Sequence, residues 1–235
     1  MMVVGILILL VHRAMAIESG PQKRAEMVRT VKVTMKYLLY LPKDYEQKPL
    51  WPLVLYLHGS GERGDNQDLL KKNGLPKLIE AGKAFSFIVV SPQCPKGQEW
   101  EASTLTTLLD EIEEKYKVDR DRIYLTGLSM GGFGAWTLAI HSPTRFAAVV
   151  PICGGGEPDD ADRIAHIPIW VFHGAKDPIV PIRESQEMVE ALKKKGSNVK
   201  FTVYPEAKHN AWTQAYNTPE LYAWLLQQKR SENRP

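Results

Sequence analysis

Residues 127–131 read Gly-Leu-Ser-Met-Gly and belong to an apolar run that starts at Ile123. This spacing predicts that Ser129 occupies a tight turn from a buried strand into a helix. Side chains at positions 127 and 131 would collide with the neighbouring strand and helix, which explains the two glycines. Such a turn exposes the serine hydroxyl and aims the Met130 amide at the place where a substrate oxygen would become negative. The pattern therefore predicts a nucleophilic Ser129, with a glycine-rich packing turn as the alternative.

A serine hydroxyl is a weak nucleophile at neutral pH, so a base must accept its proton and a carboxylate must orient that base. After a serine in this kind of turn, the acid and then the histidine follow along the chain. His209 lies in a polar loop behind the last predicted strand, and it is the histidine that follows the acid candidates. We therefore predict His209 as the base. His58 and His173 precede glycines at strand ends and are expected to shape those turns.

The orienting acid is expected in the loop after the penultimate strand, and Asp177 lies there. The next acids fall on a predicted helix, where carboxylates usually face water: Glu184, Glu187 and Glu190. Others precede the strand and would approach from its opposite end: Glu157, Asp159, Asp160 and Asp162. Asp177 is thus the predicted acid.

The loop after the strand that ends at Leu57 is rich in glycine, so its backbone amides are able to turn inward. We predict the amide of Ser60 as the second donor to a substrate oxyanion, with Gly61 as a close rival. Glu62 and Arg63 are expected to hold this loop in place, and contact with substrate is their alternative role.

Two tryptophans are expected near the rim of the pocket. Trp100 follows a predicted strand, and Trp212 lies three residues beyond the predicted base. Large aromatic side chains there would line a substrate pocket. The equally favoured alternative is that they pack beneath the loops.

Short β-branched runs alternate with segments of helical periodicity, which is typical of an α/β fold with a mostly parallel sheet covered on both faces. The helical segments include apolar repeats around residues 105–116 and 188–192, and Thr218 is predicted to cap the final helix. The predicted strands are Val31–Leu41, Pro52–Leu57, Phe85–Ser91, Arg122–Thr126, Ala147–Ile152, Ile167–Phe172 and Val199–Tyr204.

The composition is that of one ordinary globular domain, with 44% apolar and 24% charged residues among 235. A net charge of +3 excludes the strongly basic surface that nucleic-acid binding requires. Cys94 and Cys153 form no metal-binding motif. The serine, histidine and aspartate mechanism needs neither a metal nor another cofactor, so none is expected. Both cysteines are predicted to be buried thiols, and a disulfide between them is left open.

Residues 3–11 are continuously apolar, and Ala14-Met15-Ala16 follows with the small-x-small pattern of a cleavage site. A span across a bilayer needs about 20 residues, so this run is too short for one. We predict a signal peptide over residues 1–16, a single catalytic domain over residues 17–235, and a secreted or periplasmic protein without a stable membrane span. No lysine or arginine precedes the apolar run, which keeps a short uncleaved anchor as the alternative.

The chain resembles the bacterial carboxylesterases of the α/β-hydrolase superfamily, including their phospholipase/carboxylesterase, dienelactone-hydrolase-like and feruloyl-esterase-like branches. The likeness runs from about residue 37 to 224 and rests on LHGSGERG at 57–64, VVSPQCP at 89–95, GLSMGG at 127–132, PICGGG at 151–156 and the aspartate of HGAKD. It implies an α/β-hydrolase fold without a cap domain, a triad of Ser129, Asp177 and His209, and backbone oxyanion donors at Ser60 and Met130.

Two departures from the family pattern stand out. Lys208 and Asn210 flank His209 where glycine and aspartate are frequent, and Ser129 replaces the cysteine of dienelactone hydrolases proper. The second departure makes dienelactone itself an unsuitable substrate.

The implied reaction is hydrolysis of short-chain or aryl esters through an acyl-enzyme on Ser129, on small molecules or on a polymer. The connection over residues 154–166 is too short for a helical lid, which favours an open pocket. Feruloyl or acetyl-xylan esterase activity on plant polysaccharide is the alternative. A peptidase and a non-catalytic hydrolase-fold binding protein are less favoured. The sequence leaves the oligomeric state open.

The leader predicts where the mature chain begins. If Ala14-Met15-Ala16 is cleaved, N-terminal sequencing of protein from the periplasm or culture medium will start at Ile17. Recovery of exported protein with an intact Met1 would contradict the prediction.

Overall fold

The computed structural model describes residues 26–27 and 32–230, and residues 33–230 belong to one compact unit. The predicted leader, residues 1–16, lies outside the described part of the chain. No helix within that part combines the length and the apolar character needed to cross a membrane.

The described residues form a seven-stranded sheet with the order β1-β3-β2-β4-β5-β6-β7. β1 runs antiparallel to β3, and the other neighbours are parallel, so the mostly parallel sheet is confirmed. The run predicted over Val31–Leu41 forms a much shorter strand, and Val31 lies outside the described residues. The strands are β1 (Tyr37–Tyr40), β2 (Trp51–Leu57), β3 (Ile88–Pro92), β4 (Val118–Leu128), β5 (Ala148–Ile152), β6 (Trp170–Gly174) and β7 (Lys200–Tyr204).

Helices cover both faces of this sheet. Three of them, α2, α3 and α4, bury side chains in the core on one face, and α1, α5 and α6 do so on the other. The helices are α1 (Gly74–Glu80), α2 (Ala102–Lys115), α3 (Met130–His141), α4 (Arg183–Lys194), α5 (Trp212–Tyr216) and α6 (Pro219–Gln227).

The central strand β2 shows why the strand sequences are apolar throughout. Alternate side chains of a strand point to opposite faces. Leu53, Leu55 and Leu57 enter the core beneath α2, α3 and α4, whereas Val54 and Tyr56 enter the opposite core, and all five are inaccessible to solvent. Because both faces are covered, both sets of positions carry large, mainly apolar side chains.

The connection between β5 and β6 packs against the body of the protein. It contains a 3-10 segment, Pro158–Ile164, whose Ala161 and Ile164 side chains are buried in the core with those of α4. The connection therefore forms no helical lid.

The final helix begins where the sequence predicts. Thr218 does occupy the N-cap position of α6, but its hydroxyl donates to the carbonyl oxygen of Gln214. The chain passes from α5 into α6 within a few residues, so the last turn of α5 supplies the nearer partner.

Strand pairing is least extensive between β5 and β6. These strands share one ladder pair, Ile152 with Phe172, and an isolated bridge between Val149 and Ile169. Pro151 lies between those positions and has no amide hydrogen to donate. The sheet is therefore joined more loosely at this point than at its other parallel pairs.

Candidate active site

The turn that carries Ser129 has the strained backbone that the sequence predicts. Ser129 follows β4 and adopts φ 54° and ψ −120°, a conformation that costs a side-chain-bearing residue about 1–3 kcal/mol. A Cβ atom at Gly127 would overlap the carbonyl oxygen of Gly131, and one at Gly131 would overlap that of Leu57. The Ser129 amide donates to the carbonyl oxygen of Ile152 at 2.9 Å. The first turn of α3 thus rests directly on strand backbone.

The structure brings the three predicted triad residues together. The Ser129 Oγ lies 2.9 Å from His209 Nε2, and His209 Nδ1 lies 2.7 Å from Asp177 Oδ2. An ionised carboxylate only accepts hydrogen bonds, so Nδ1 carries the proton and Nε2 presents its lone pair to the serine hydroxyl. The His209 side chain is 19% exposed, whereas that of Asp177 is inaccessible to solvent.

Asp177 is held as a buried anion. Burial by itself would raise the pKa of its carboxyl group, but the hydrogen bonds from His209 and from the amides of Ile179 and Val180 keep that pKa below its usual value. Both amides donate to the second carboxylate oxygen. Asp177 therefore remains charged at neutral pH and keeps one oxygen for the imidazole.

His173 buttresses this acid, a role beyond the turn-shaping one predicted for it. Its Nε2 lies 2.9 Å from the carbonyl oxygen of Val180 and 3.3 Å from Asp177 Oδ2, and its Nδ1 lies 2.8 Å from the hydroxyl of Ser185. Burial lowers the pKa of His173. The sequence contains no periodic signal for Ser185, which α4 brings to this position.

Cys153 lies behind the predicted base. It has a positive φ of 49°, and its thiol donates to the carbonyl oxygen of His209 at 3.3 Å. Burial raises the pKa of Cys153 to about 12, so the thiol stays protonated. Cys153, His173 and Asp177 have ligand atoms within 4.8 Å of one another. In the structure these groups bind protein partners: the thiol donates to His209, the His173 ring contacts Val180 and Ser185, and the Asp177 carboxylate accepts from His209. Cys94 is also a free, buried thiol, so the disulfide is not formed.

The loop after β2 runs beside the nucleophile. A Cβ atom at Gly59 would lie 3.5 Å from the Cβ of Ser129. The amides of Ser60 and Met130 donate to no acceptor within the described residues. Both amides are therefore available to a bound oxyanion, and Gly61 stays the rival for the place of Ser60.

Glu62 and Arg63 hold this loop through different partners. The Glu62 carboxylate is buried and accepts a hydrogen bond from Asn73 Nδ2. The Arg63 guanidinium donates to the carbonyl oxygens of Ser60 and Gln98 at 3.1 Å each. These contacts agree with the structural role expected for both side chains.

The two tryptophans differ in position. Trp100 is 8% exposed, and its indole N–H donates to the carbonyl oxygen of His58 at 3.1 Å. These contacts favour the packing alternative for Trp100, and Gly134 of α3 lets the indole pack closely against that helix. The ring of Trp212 stands perpendicular to that of His209, with 5.1 Å between the ring centroids.

The buried imidazole of His58 is held as a neutral ring. Its Nδ1 donates to the carbonyl oxygen of Gly59 at 2.5 Å, and its Nε2 accepts from the amide of Cys94 at 3.0 Å. Burial lowers the pKa of His58 from 6.5 to about 4. A second proton on Nε2 would break the bond from Cys94 and disturb the base of the loop.

The fold and the site together define a carboxylic ester hydrolase of the serine type with the α/β-hydrolase fold. The model of the dienelactone hydrolase family matches residues 89–223, more than half of the chain. The protein belongs to this family.

Several of the similar proteins are esterases. A probable feruloyl esterase C of Aspergillus terreus is 27% identical over 192 residues, which are 76% of this chain and 69% of that protein. A bifunctional acetylxylan esterase/xylanase of Neocallimastix patriciarum is 24% identical over 79% of this chain and 27% of its own length. The crystal structure of a thermostable esterase superposes with a TM-score of 0.73 and 33% identity, covering 83% of this chain. The chain spans 60% of the length of that esterase.

The low pKa of His58 predicts a specific loss of stability in acid. Between pH 6.5 and about 4 the unfolded chain binds a proton that the folded protein excludes. The free energy of unfolding should therefore fall by roughly 1.4 kcal/mol per pH unit on acidification through this window. This contribution of His58 adds to the contributions of other titrating groups. Urea unfolding at several pH values measures the slope.

His58→Gln should flatten that slope relative to the wild type. His141→Gln removes an exposed imidazole and is the control for the substitution itself. An unchanged slope in a folded His58→Gln variant would show that His58 does not carry the effect.

Proposed function

We propose that this protein hydrolyses short-chain or aryl carboxylic esters through an acyl-enzyme on Ser129. The observation that carries the proposal is the continuous hydrogen-bonded chain from Ser129 Oγ through the His209 ring to Asp177, with contacts of 2.9 Å and 2.7 Å. Asp177 fixes the ring in the tautomer that presents a lone pair to the serine, which is what a general base requires.

In the acylation step, His209 Nε2 takes the hydroxyl proton as Ser129 Oγ bonds to the ester carbonyl carbon. The negative charge that develops on the carbonyl oxygen is stabilised by the amides of Ser60 and Met130. The imidazolium then passes its proton to the leaving alcohol as the carbon–oxygen bond breaks. Asp177 stabilises the transient positive charge on the ring.

In the deacylation step, water attacks the acyl-enzyme while His209 accepts one of its protons. The tetrahedral intermediate uses the same two amides. It collapses to release the carboxylic acid, and the proton on His209 returns to Ser129 Oγ. Each group is restored, and no other reactant is consumed.

The surroundings of Ser129 favour small acyl groups. The connection after β5 packs its apolar side chains into the core, so it contributes no cover over the site. A long acyl chain would remain largely in water, whereas complete burial stabilises by about 0.8 kcal/mol per methylene.

Aromatic acyl groups are the second candidate. Phe133, one helical turn beyond Ser129, is 37% exposed, and Trp212 contacts the His209 ring. An exposed aromatic ring one turn after the nucleophile and another against the base suit a flat acyl group. The feruloyl and acetylxylan esterases among the relatives favour plant polysaccharide as the carrier of such esters.

We also propose that residues 17–235 act as one catalytic domain outside the cytoplasm. The support is the apolar run at residues 3–11 with its cleavage pattern, together with the compact unit to which residues 33–230 belong.

Replacement of the nucleophile tests the mechanism. Ser129→Ala should lower kcat by at least ~10³ and abolish labelling by a fluorophosphonate, because both need the serine oxygen. Thermal unfolding should show an intact fold. Ser197→Ala, remote from the site, is the matched control and should keep full activity. A folded Ser129→Ala variant with substantial activity would refute the assignment.

The open pocket predicts a short-chain optimum. For p-nitrophenyl esters, kcat/KM should peak between acetate and butyrate and decline by octanoate, because further methylenes gain little burial. No rate increase is expected at the solubility limit of the substrate. Methyl ferulate, assayed in parallel, distinguishes an aromatic preference. A maximum at long chains, or activation at a lipid–water interface, would contradict an open pocket.

A further inference from the structure

We propose that Glu62, Asn73 and Trp212 form a hydrogen-bonded bridge that positions the His209 ring against the loop after β2. This inference rests on the proposed function, in which His209 is the base. The bridge connects two segments that are 139 residues apart in the chain, and its members are positioning residues that act through their neighbours.

The first link is anchored in the interior. Glu62 is 4% exposed, and its carboxylate accepts the Asn73 side-chain amide. A Cβ atom at Gly59 would lie 3.4 Å from the other carboxylate oxygen, so the carboxylate packs directly against the loop that carries Ser60. The backbone carbonyl of Glu62 accepts a further bond from Gln93 Nε2 at 2.9 Å.

The second link has a fixed direction. The Asn73 amide donates to Glu62 through Nδ2, and its Oδ1 accepts the indole N–H of Trp212 at 3.2 Å. Burial raises the pKa of Glu62, but the direction does not depend on its charge: the indole nitrogen of Trp212 only donates, so Oδ1 of Asn73 must face Trp212 and Nδ2 must face Glu62. Rotation of the Asn73 amide by 180° would lose both bonds, so the two ends of the bridge hold the amide in one orientation.

The third link reaches the base. The rings of Trp212 and His209 meet at 90° with centroids 5.1 Å apart. Asp177 holds the His209 ring at Nδ1, and the only other polar contact that the described residues give the ring is at Nε2 with the Ser129 hydroxyl, whose proton moves during the reaction. These two bonds leave room for the ring to tilt. The Trp212 ring blocks this tilt on one side and keeps Nε2 directed at Ser129. A displacement of about 1 Å of a reacting group is enough to lower rates by up to about a hundredfold.

Substitutions that cut single links test the bridge. Trp212→Phe keeps a ring but removes the N–H, and Asn73→Leu removes both of its bonds. Each should lower kcat for p-nitrophenyl acetate about tenfold, with KM within about twofold, because ring alignment affects the reaction more than substrate binding. The double variant should be no slower than either single variant by more than about twofold, since both cut the same bridge.

Glu62 provides a rescue within the same experiment. Glu62→Gln keeps an oxygen that accepts from Asn73 and should retain kcat within about threefold of the wild type. Glu62→Leu removes the acceptor and should lower kcat about as much as Trp212→Phe and Asn73→Leu do.

The matched control is Trp170→Phe. Trp170 also donates its indole N–H to a side-chain oxygen, Thr202 Oγ1 at 3.0 Å, but it begins β6 at the end remote from Ser129. This variant should keep the wild-type kcat. If Asn73→Leu or Glu62→Leu fails to fold, the comparison of Trp212→Phe with Trp170→Phe decides the question alone.

Two outcomes would overturn the bridge. The first is a Trp212→Phe variant that keeps kcat within about twofold of the wild type. The second is a double variant in which the kcat losses of Trp212→Phe and Asn73→Leu multiply. Failure of the proposed function has a different signature, because wild-type protein would then neither hydrolyse p-nitrophenyl acetate nor react with a fluorophosphonate.

Discussion

The contact between the first turn of α3 and the backbone of β2 and β4 determines the geometry of the whole site. No side chain separates these elements, because Gly127 and Gly131 leave only main-chain atoms at the contact. The close approach forces Ser129 into a positive φ, and the Ile152 carbonyl holds its amide there. The strain is tolerated because packing from three strands and one helix maintains it. The direction of the serine hydroxyl, and of the Met130 amide next to it, follows from this arrangement.

Parallel strands bring the remaining groups to the same edge of the sheet. β6 ends beside Asp177, β7 is followed by the loop of His209, and β2 leads into the loop of Ser60. The one buried anion among the three predicted triad residues is neutralised locally, by two amides of its own loop and by the imidazole. One oxygen of the Asp177 carboxylate thus faces the His209 ring, where the reaction produces an imidazolium. The other oxygen is stabilised by the two amide hydrogen bonds.

The sequence predicted the sheet and the three residues that meet at its edge because their signals are local. A glycine-flanked serine between a strand and a helix, or an aspartate directly after a strand, is visible within a few residues. The burial of Trp100 has no such local signal. It depends on Gly134, in a helix more than 30 residues further along the chain, which leaves room for the indole. Asn73 was missed for a similar reason. Its side-chain hydrogen bonds join distant segments and impose no periodicity on the chain.

The weak junction between β5 and β6 divides the site as well as the sheet. Ser129 and the amide donors belong to the part before the junction, whereas Asp177 and His209 belong to the part after it. The buried side chains of β5 and β6, rather than backbone pairing, supply most of the cohesion at this boundary. Separation at this boundary would part nucleophile from base while both halves of the sheet kept their secondary structure. The signature of such a separation would be a loss of activity on heating that precedes the loss of circular dichroism.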